Sequence, residues 1–131
     1  MTLVKLVCAL LDSKGLDYAV SGDTVQLILQ AGHKKWNAVF TDDREGFLRY
    51  YARYPWRVSG ADSERMLVLL NRLNTELRAG CFLLSEGYPV FRYGVYIFDE
   101  FTAAESAADL MVTAMAKTAA AWDDIQKAAS V

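Results

Sequence analysis

The chain has 131 residues, enough for one domain with a real core and too few for two. It is 53% hydrophobic and 23% charged, the balance of a folded globular protein, and no stretch approaches the roughly 18 apolar residues of a membrane span. With 16 acidic and 14 basic residues the formal charge is -2, so no basic field draws in nucleic acid or an anionic membrane, and neither is expected as a partner.

Leu3, Leu6, Val7, Leu10 and Leu11 share one face of a helical wheel, with Lys5, Ala9 and Asp12 opposite. Gly15 stands where helices end in a left-handed residue, so a first helix is predicted over residues 2–14. The same segment fails as a secretion signal: it holds one lysine, its apolar run stops at Asp12, and no small-x-small cleavage site follows. A cytoplasmic protein is expected. Cys8 and Cys81 lie in apolar surroundings and are expected to be buried free thiols rather than a disulfide.

Beyond Gly15 the sequence period shortens from helical to alternating. After a turn at Ser21-Gly22-Asp23, Val25, Leu27 and Leu29 alternate with Thr24, Gln26 and Gln30, interrupted only by Ile28. Trp36, Ala38 and Phe40 make one side of the next strand, residues 42–46 a polar loop, and FLRYYARY a strand ended by Pro55. One short strand and three longer ones, tightly joined, predict an antiparallel meander. A second helix is expected from about Asp62 to Ala79, capped by Asp62 or Ser63 and stopped by Gly80. CFLL and PVFRYGVYIF then form a hairpin around SEGY, with Pro89 facing a sheet edge and Gly94 marking a bulge. Last, Thr102 and Glu105 make an S/T-x-x-E capping box. From it a single helix runs to about Ala128, with Leu110, Met111, Ala114, Met115, Ala121, Trp122 and Ile125 in one stripe. The order α-β-β-β-β-α-β-β-α predicts a single α+β domain over residues 1–131, an antiparallel sheet packed by helices.

Residues that carry chemistry are sparse. His33 is the only histidine and lies in a turn beside Lys34 and Lys35, where a solvated role outweighs catalysis or metal binding. Asp42, Asp43 and Glu45 lack the periodicity and length of a calcium loop and read as a polar hairpin loop. No glycine-rich phosphate loop, nucleophile elbow or metal-ligand spacing is found. No cofactor, metal or catalytic residue is therefore assigned, and the chain is not expected to be an enzyme.

Two surfaces stand out instead. Arg49, Tyr51 and Arg53 share a strand face opposite Leu48, Tyr50, Ala52 and Tyr54, and Trp56 follows. Tyrosine, tryptophan and arginine are frequent anchors at interfaces, which makes Arg49, Tyr51, Arg53 and Trp56 the candidate partner-binding surface. The alternative is that the aromatics pack on helices while the arginines stay in water. On the second helix Leu69, Leu70, Leu73 and Leu77 gather around Met66, whereas Leu67 and Val68 point away, so its front half is apolar nearly all round. In a small domain the second covering surface is expected to be another copy, with Leu67, Val68, Asn71 and Asn74 at a homodimer interface. For Asn74, at the edge of the sheet-facing stripe, a bond to a strand end or loop is the alternative.

The element order, LLNRLN on the second helix and the hairpin GCFLLSEGYPVFRYGV resemble the YbjN-like family of bacterial sensory transduction regulators over nearly the whole chain. The shared motifs are Leu70, Asn71 and Asn74, then a strand, the turn at Gly87, and Arg92. Members look like class I type III secretion chaperones, so the resemblance implies a type III secretion chaperone-like fold, often dimeric. It also implies a binding or regulatory role with no catalytic residue to carry over. The first expectation is thus a homodimeric regulatory or adaptor domain that binds an unidentified protein. The alternatives are a secretion-type chaperone holding an extended client and, of another class, a small-ligand binder or unrecognised enzyme. An open apolar groove would favour the chaperone; a solvent-lined cavity with convergent polar groups would favour the ligand binder.

Overall fold

Alternation along the strands gives a sheet with one apolar face, and the helices of the chain are laid against that face. The computed structural model describes residues 2–131. In chain order the elements are α1 (Leu3–Ser13), β1 (Ala19–Ser21), β2 (Thr24–Ala31), β3 (Lys34–Asp42), β4 (Phe47–Arg53), α2 (Ala61–Glu76), β5 (Cys81–Ser85), β6 (Tyr88–Tyr96), α3 (Ala103–Ala120) and α4 (Trp122–Ala128). The six strands form one antiparallel sheet in the order β1-β2-β3-β4-β6-β5. The first four strands are the predicted meander. The later hairpin docks through its second strand, so β6 lies beside β4 and β5 becomes an edge.

The core is built from every second strand residue. Val25, Leu27 and Leu29 of β2, Trp36, Ala38 and Phe40 of β3, and Leu48, Tyr50 and Ala52 of β4 are all buried, with Phe91 of β6 and Phe82 of β5. Leu3, Val7 and Leu11 of α1, Met66 and Leu70 of α2, Leu110, Met111 and Ala114 of α3, and Ile125 of α4 close over them. The α+β class and the element order agree with expectation as far as the last helix.

There the single predicted helix is two. The Thr118 carbonyl accepts the Tyr54 hydroxyl at 2.8 Å, and the Ala119 carbonyl accepts Nζ of Lys34 at 3.1 Å. Side chains from the sheet thus satisfy carbonyls that α3 leaves unpaired at its C-terminus. Ala121, at φ −87° and ψ −6°, separates the two helices, and Trp122 enters an aromatic cluster with Trp36, Tyr54 and Trp56. The capping box does not form either, since Thr102 makes no side-chain cap bond. Nor do Asp62 and Ser63 cap α2: its N-cap is Gly60 at φ +57°, and the helix ends at Glu76, before the expected Ala79. Cys8 and Cys81 are free, but half-buried rather than buried. Pro89 lies on an interior strand instead of an edge, where β4 has just ended; its carbonyl accepts the Tyr54 amide at 3.0 Å.

Beneath the helices one polar chain threads the core. Trp36 Nε1 donates to the Tyr50 hydroxyl at 2.9 Å, and that hydroxyl lies 2.9 Å from Oγ1 of Thr118. Oγ1 of Thr118 donates to the Ala114 carbonyl at 2.7 Å, which leaves Tyr50 as donor to Thr118. Each polar atom in this dry region therefore has a partner, which removes the cost of burying it. Burial pushes the Tyr50 hydroxyl up to about 12, and Tyr54 is raised well above its ordinary value for the same reason.

Candidate functional site

The strand residues that alternate with the core point to the other face of the sheet, which no helix covers. Three cross-strand rows run over it. The first is Ile28, Asn37, Arg53, Val90 and Leu83; the second is Gln26, Val39, Tyr51, Arg92 and Cys81. The third is Thr24, Thr41, Arg49 and Gly94. Gly94 makes no bulge, because the register continues unbroken through its pairing with Arg49. A Cβ there would collide with the Phe47 ring, which lies across the glycine. The expected bulge is therefore a seat for an aromatic side chain.

Charge is segregated on this face. Lys35, Arg49, Arg53 and Arg92 occupy it, while none of the 16 acidic residues stands at an outward strand position. Asp42, the only acidic residue within a strand, faces the helices and accepts from the Leu3 amide at 3.3 Å. A chain of net charge -2 thus presents one purely cationic face.

Three of these cations surround Tyr51. Arg92 is its cross-strand partner, and Arg49 and Arg53 lie two residues to either side on β4, each diagonal to Arg92. Such diagonal positions are about 7–8 Å apart. Arg49 donates to the Tyr51 hydroxyl at 3.1 Å and lies over the Phe47 ring, 5.2 Å from its centroid. The Arg53 guanidinium sits over Tyr88 at 4.6 Å, and Arg92 reaches Sγ of Cys81 at 3.5 Å. The Cys81 sulfur, and less strongly the Tyr51 hydroxyl, hold the Arg92 guanidinium above its ordinary value. None of the three meets a carboxylate. The ion pairs among the described residues are Arg44–Asp23, Arg65–Asp62 and Arg72–Asp124, all elsewhere.

Beside the arginines lies an open trough of about 650 Å³, lined by Gln26, Ile28, Asn37, Val39, Tyr51, Arg53, Leu83, Ser85 and Val90. Its floor is aliphatic at Ile28, Val39, Leu83 and Val90 and carries the amides of Gln26 and Asn37, with Arg53 and Tyr51 part of its wall.

Sequence reasoning placed Arg49, Tyr51 and Arg53 together correctly, but Trp56 does not join them. It packs against the Trp122 ring at 4.7 Å and stacks near Tyr54, on the helical side of the sheet. Arg92 belongs to the cluster although it stands 41 positions after Tyr51, on another strand. Its signal was local, an outward position between Phe91 and Tyr93, but the β4–β6 pairing that places it was not readable from chain order.

On α2, Met66 and Leu70 are buried, while Leu67 and Val68 are 52% and 74% exposed and Asn71 is exposed beside them. Asn74 turns inward: its Nδ2 donates to the Phe82 carbonyl at 2.8 Å, and its Oδ1 accepts the Phe82 amide at 2.6 Å. His33 is exposed in the β2–β3 turn. Asp43 accepts from the Glu45 and Phe47 amides, and Asp42 from Arg44, which builds a hydrogen-bonded hairpin loop. Among the described residues no three His, Cys, Asp or Glu side chains gather as metal ligands. No helix among the described residues is long and apolar enough to cross a membrane.

No family model matches the sequence, and neither does any curated protein. Among solved structures, the chain is similar in fold to YbjN from E. coli, described as "a putative transcription regulator". The TM-score is 0.66 over 87% of this chain and 84% of that one, at 13% sequence identity. The likeness places this chain in the same fold, an open antiparallel sheet with helices on one face.

Proposed function

We propose that the chain is a non-catalytic protein-binding adaptor of the regulatory type, working through the uncovered face of its sheet. The observation that carries this reading is the contrast in satisfaction between the two faces. The core face has its polar groups paired and its aromatics packed, whereas the outer face exposes arginines and tyrosines around an aliphatic trough. Arginine and tyrosine around apolar ground is the composition of interface anchors. The fold it shares with YbjN supports a regulatory setting by analogy. Homodimerisation through the outer side of α2 is part of the proposal, since Leu67 and Val68 are aliphatic, adjacent and exposed.

The test is capture of native partners from extracts of the source cell, comparing the natural chain with Val39→Trp, which fills the trough. Loss of the captured partner in the variant supports the reading; an unchanged set of partners overturns it. For the dimer, Leu67→Asp and Val68→Asp are expected to give monomers by light scattering. Two folded variants that stay dimeric would remove α2 from the interface.

The runner-up, a secretion-type chaperone that holds an extended client, is favoured by the aliphatic trough floor. It predicts that Val39→Trp loses binding to a client's unfolded segment while binding to folded proteins is unaffected.

A further inference from the structure

Three guanidinium groups within two strands, with no carboxylate on the same face, are unfavourable for the isolated fold. Like charges on neighbouring strands repel, and a cross-strand glutamate would relieve them. The only nearby acceptors are the Tyr51 hydroxyl and the Cys81 sulfur. We propose that Arg49, Arg53 and Arg92 form an anion site that receives the carboxylates of an extended, acidic and apolar protein segment. This rests on the reading of the open face as a docking surface and names the chemistry of what docks there.

Spacing and surroundings define the occupant. Arg49 and Arg53 stand four residues apart on β4, so their Cα atoms are about 13 Å apart. An extended segment running along β4 repeats that distance between side chains four residues apart on its own lower face. Two acidic residues in that spacing meet Arg49 and Arg53, and the residue between them lies over Tyr51 and Arg92. Aliphatic side chains at the lower-face positions between and beyond the acidic pair fit the floor of Ile28, Val39, Leu83 and Val90. Guanidinium pairs bidentately with carboxylate, and the aliphatic floor lowers the local dielectric, which strengthens such pairs.

A single-stranded nucleic acid is the competing polyanion, because aromatics and arginines on a sheet also suit it. Two features favour a peptide. The tyrosine and phenylalanine rings nearest the arginines are already occupied by guanidinium groups instead of standing free for bases. The face is also bounded by carboxylates at one end, where Asp43 and Glu45 stand in the β3–β4 loop. A long phosphate chain running off the patch meets those carboxylates, while a short peptide stays inside it.

The experiment uses the full chain and a fluorescent peptide with glutamates four residues apart, valines midway between and beyond them on the same face, and serines on the other face. Three further probes are its glutamine analogue, an oligothymidylate of equal length, and a lysine version. Anisotropy is expected to show that the glutamate peptide binds at least about tenfold more tightly than the glutamine analogue, and that added salt weakens it. The double variant Arg49→Gln with Arg53→Gln should remove most of that advantage, while the unfolding midpoint stays close to that of the natural chain. Equal binding of the glutamate and glutamine peptides overturns the anion site but leaves the docking face standing. Tighter binding of the oligothymidylate overturns the choice of a protein segment. If no probe binds, the anion site falls; Val39→Trp partner capture then decides separately whether the docking face falls with it.

Discussion

Tyr50 and Tyr51 follow one another on β4 and face opposite ways. Tyr50 is wholly buried, accepts from Trp36 and donates to Thr118, while Tyr51 stands among three arginines on the uncovered side. Two residues of the same type thus serve different ends, and one sheet separates them. On the covered side each group is matched, so a change there is read as stability. On the uncovered side charges are left unmatched, so a change there should be read in binding and hardly at all in folding.

The sharpest way to break that contrast starts with Phe91, wholly buried against Tyr50, Phe82 and Tyr93. Phe91→Ala is expected to cost about 3–5 kcal/mol in urea unfolding. A cost near zero would mean that the covered face is not the core. Next comes the tyrosine pair itself. Tyr50→Phe leaves the Trp36 indole and Thr118 with one partner fewer and should cost about 1–3 kcal/mol, whereas Tyr51→Phe should cost less than about 0.5 kcal/mol. Equal costs would erase the distinction between the faces.

Alkali probes the same side without mutation. Tyr50 ionises only near 12 in the fold, against 10 when unperturbed, and Tyr54 is also raised. The folded state holds these protons more tightly than the unfolded chain does. The contribution of Tyr50 is therefore complete below pH 10 and is lost as pH climbs through about 12, and that of Tyr54 changes in the same direction. Unfolding midpoints measured from neutral pH upward should fall beyond pH 10, and less steeply in Tyr50→Phe.

Asn74→Ala should follow, at about 1–2 kcal/mol, with faster amide exchange at Phe82 as a local readout. Unchanged exchange there would show that Asn74 is not holding the strand. The smallest cost is assigned to Arg92→Gln. Each like-charge pair at about 7–8 Å repels by roughly half a kcal/mol in a water-like medium. Removing Arg92 takes away two such pairs and should therefore change stability by at most about 1 kcal/mol, on the side of a gain. A clear loss would mean that the arginines support the fold, and the contrast between the faces would fail.

What the chain order made legible was local. The alternation of Val25, Leu27 and Leu29, of Trp36, Ala38 and Phe40, and of the tyrosine strand reported which residues face inward, because the pleat has a period of two. Arg49, Tyr51 and Arg53 could be grouped for the same reason. What escaped depended on contacts across long separations. The break at Ala121 exists because Tyr54 and Lys34 reach carbonyls 64 and 85 positions away, and no helical periodicity encodes that. Trp56 lies beyond Pro55, where strand alternation no longer applies, and follows Trp122 to the helical side. Gly94 was legible as unusual, but its reason, the ring of Phe47, comes from the neighbouring strand. The two asparagines of α2 divide likewise: Asn71 is exposed, and Asn74 takes the alternative of bonding a strand.

That bond has a consequence for how far the sheet can extend. A strand residue's amide and carbonyl point to the same side, so the groups of Phe82 held by Asn74 are those facing away from β6. They are the groups onto which another chain's strand would zip. Asn74 fills them as a neighbouring strand would, in miniature, and supplies nothing further to pair with. At the other border, the three residues of β1 carry no such plug. With the groups of Phe82 taken, the ladder that another strand could extend along β5 is cut short, and a single helix asparagine is enough to do it.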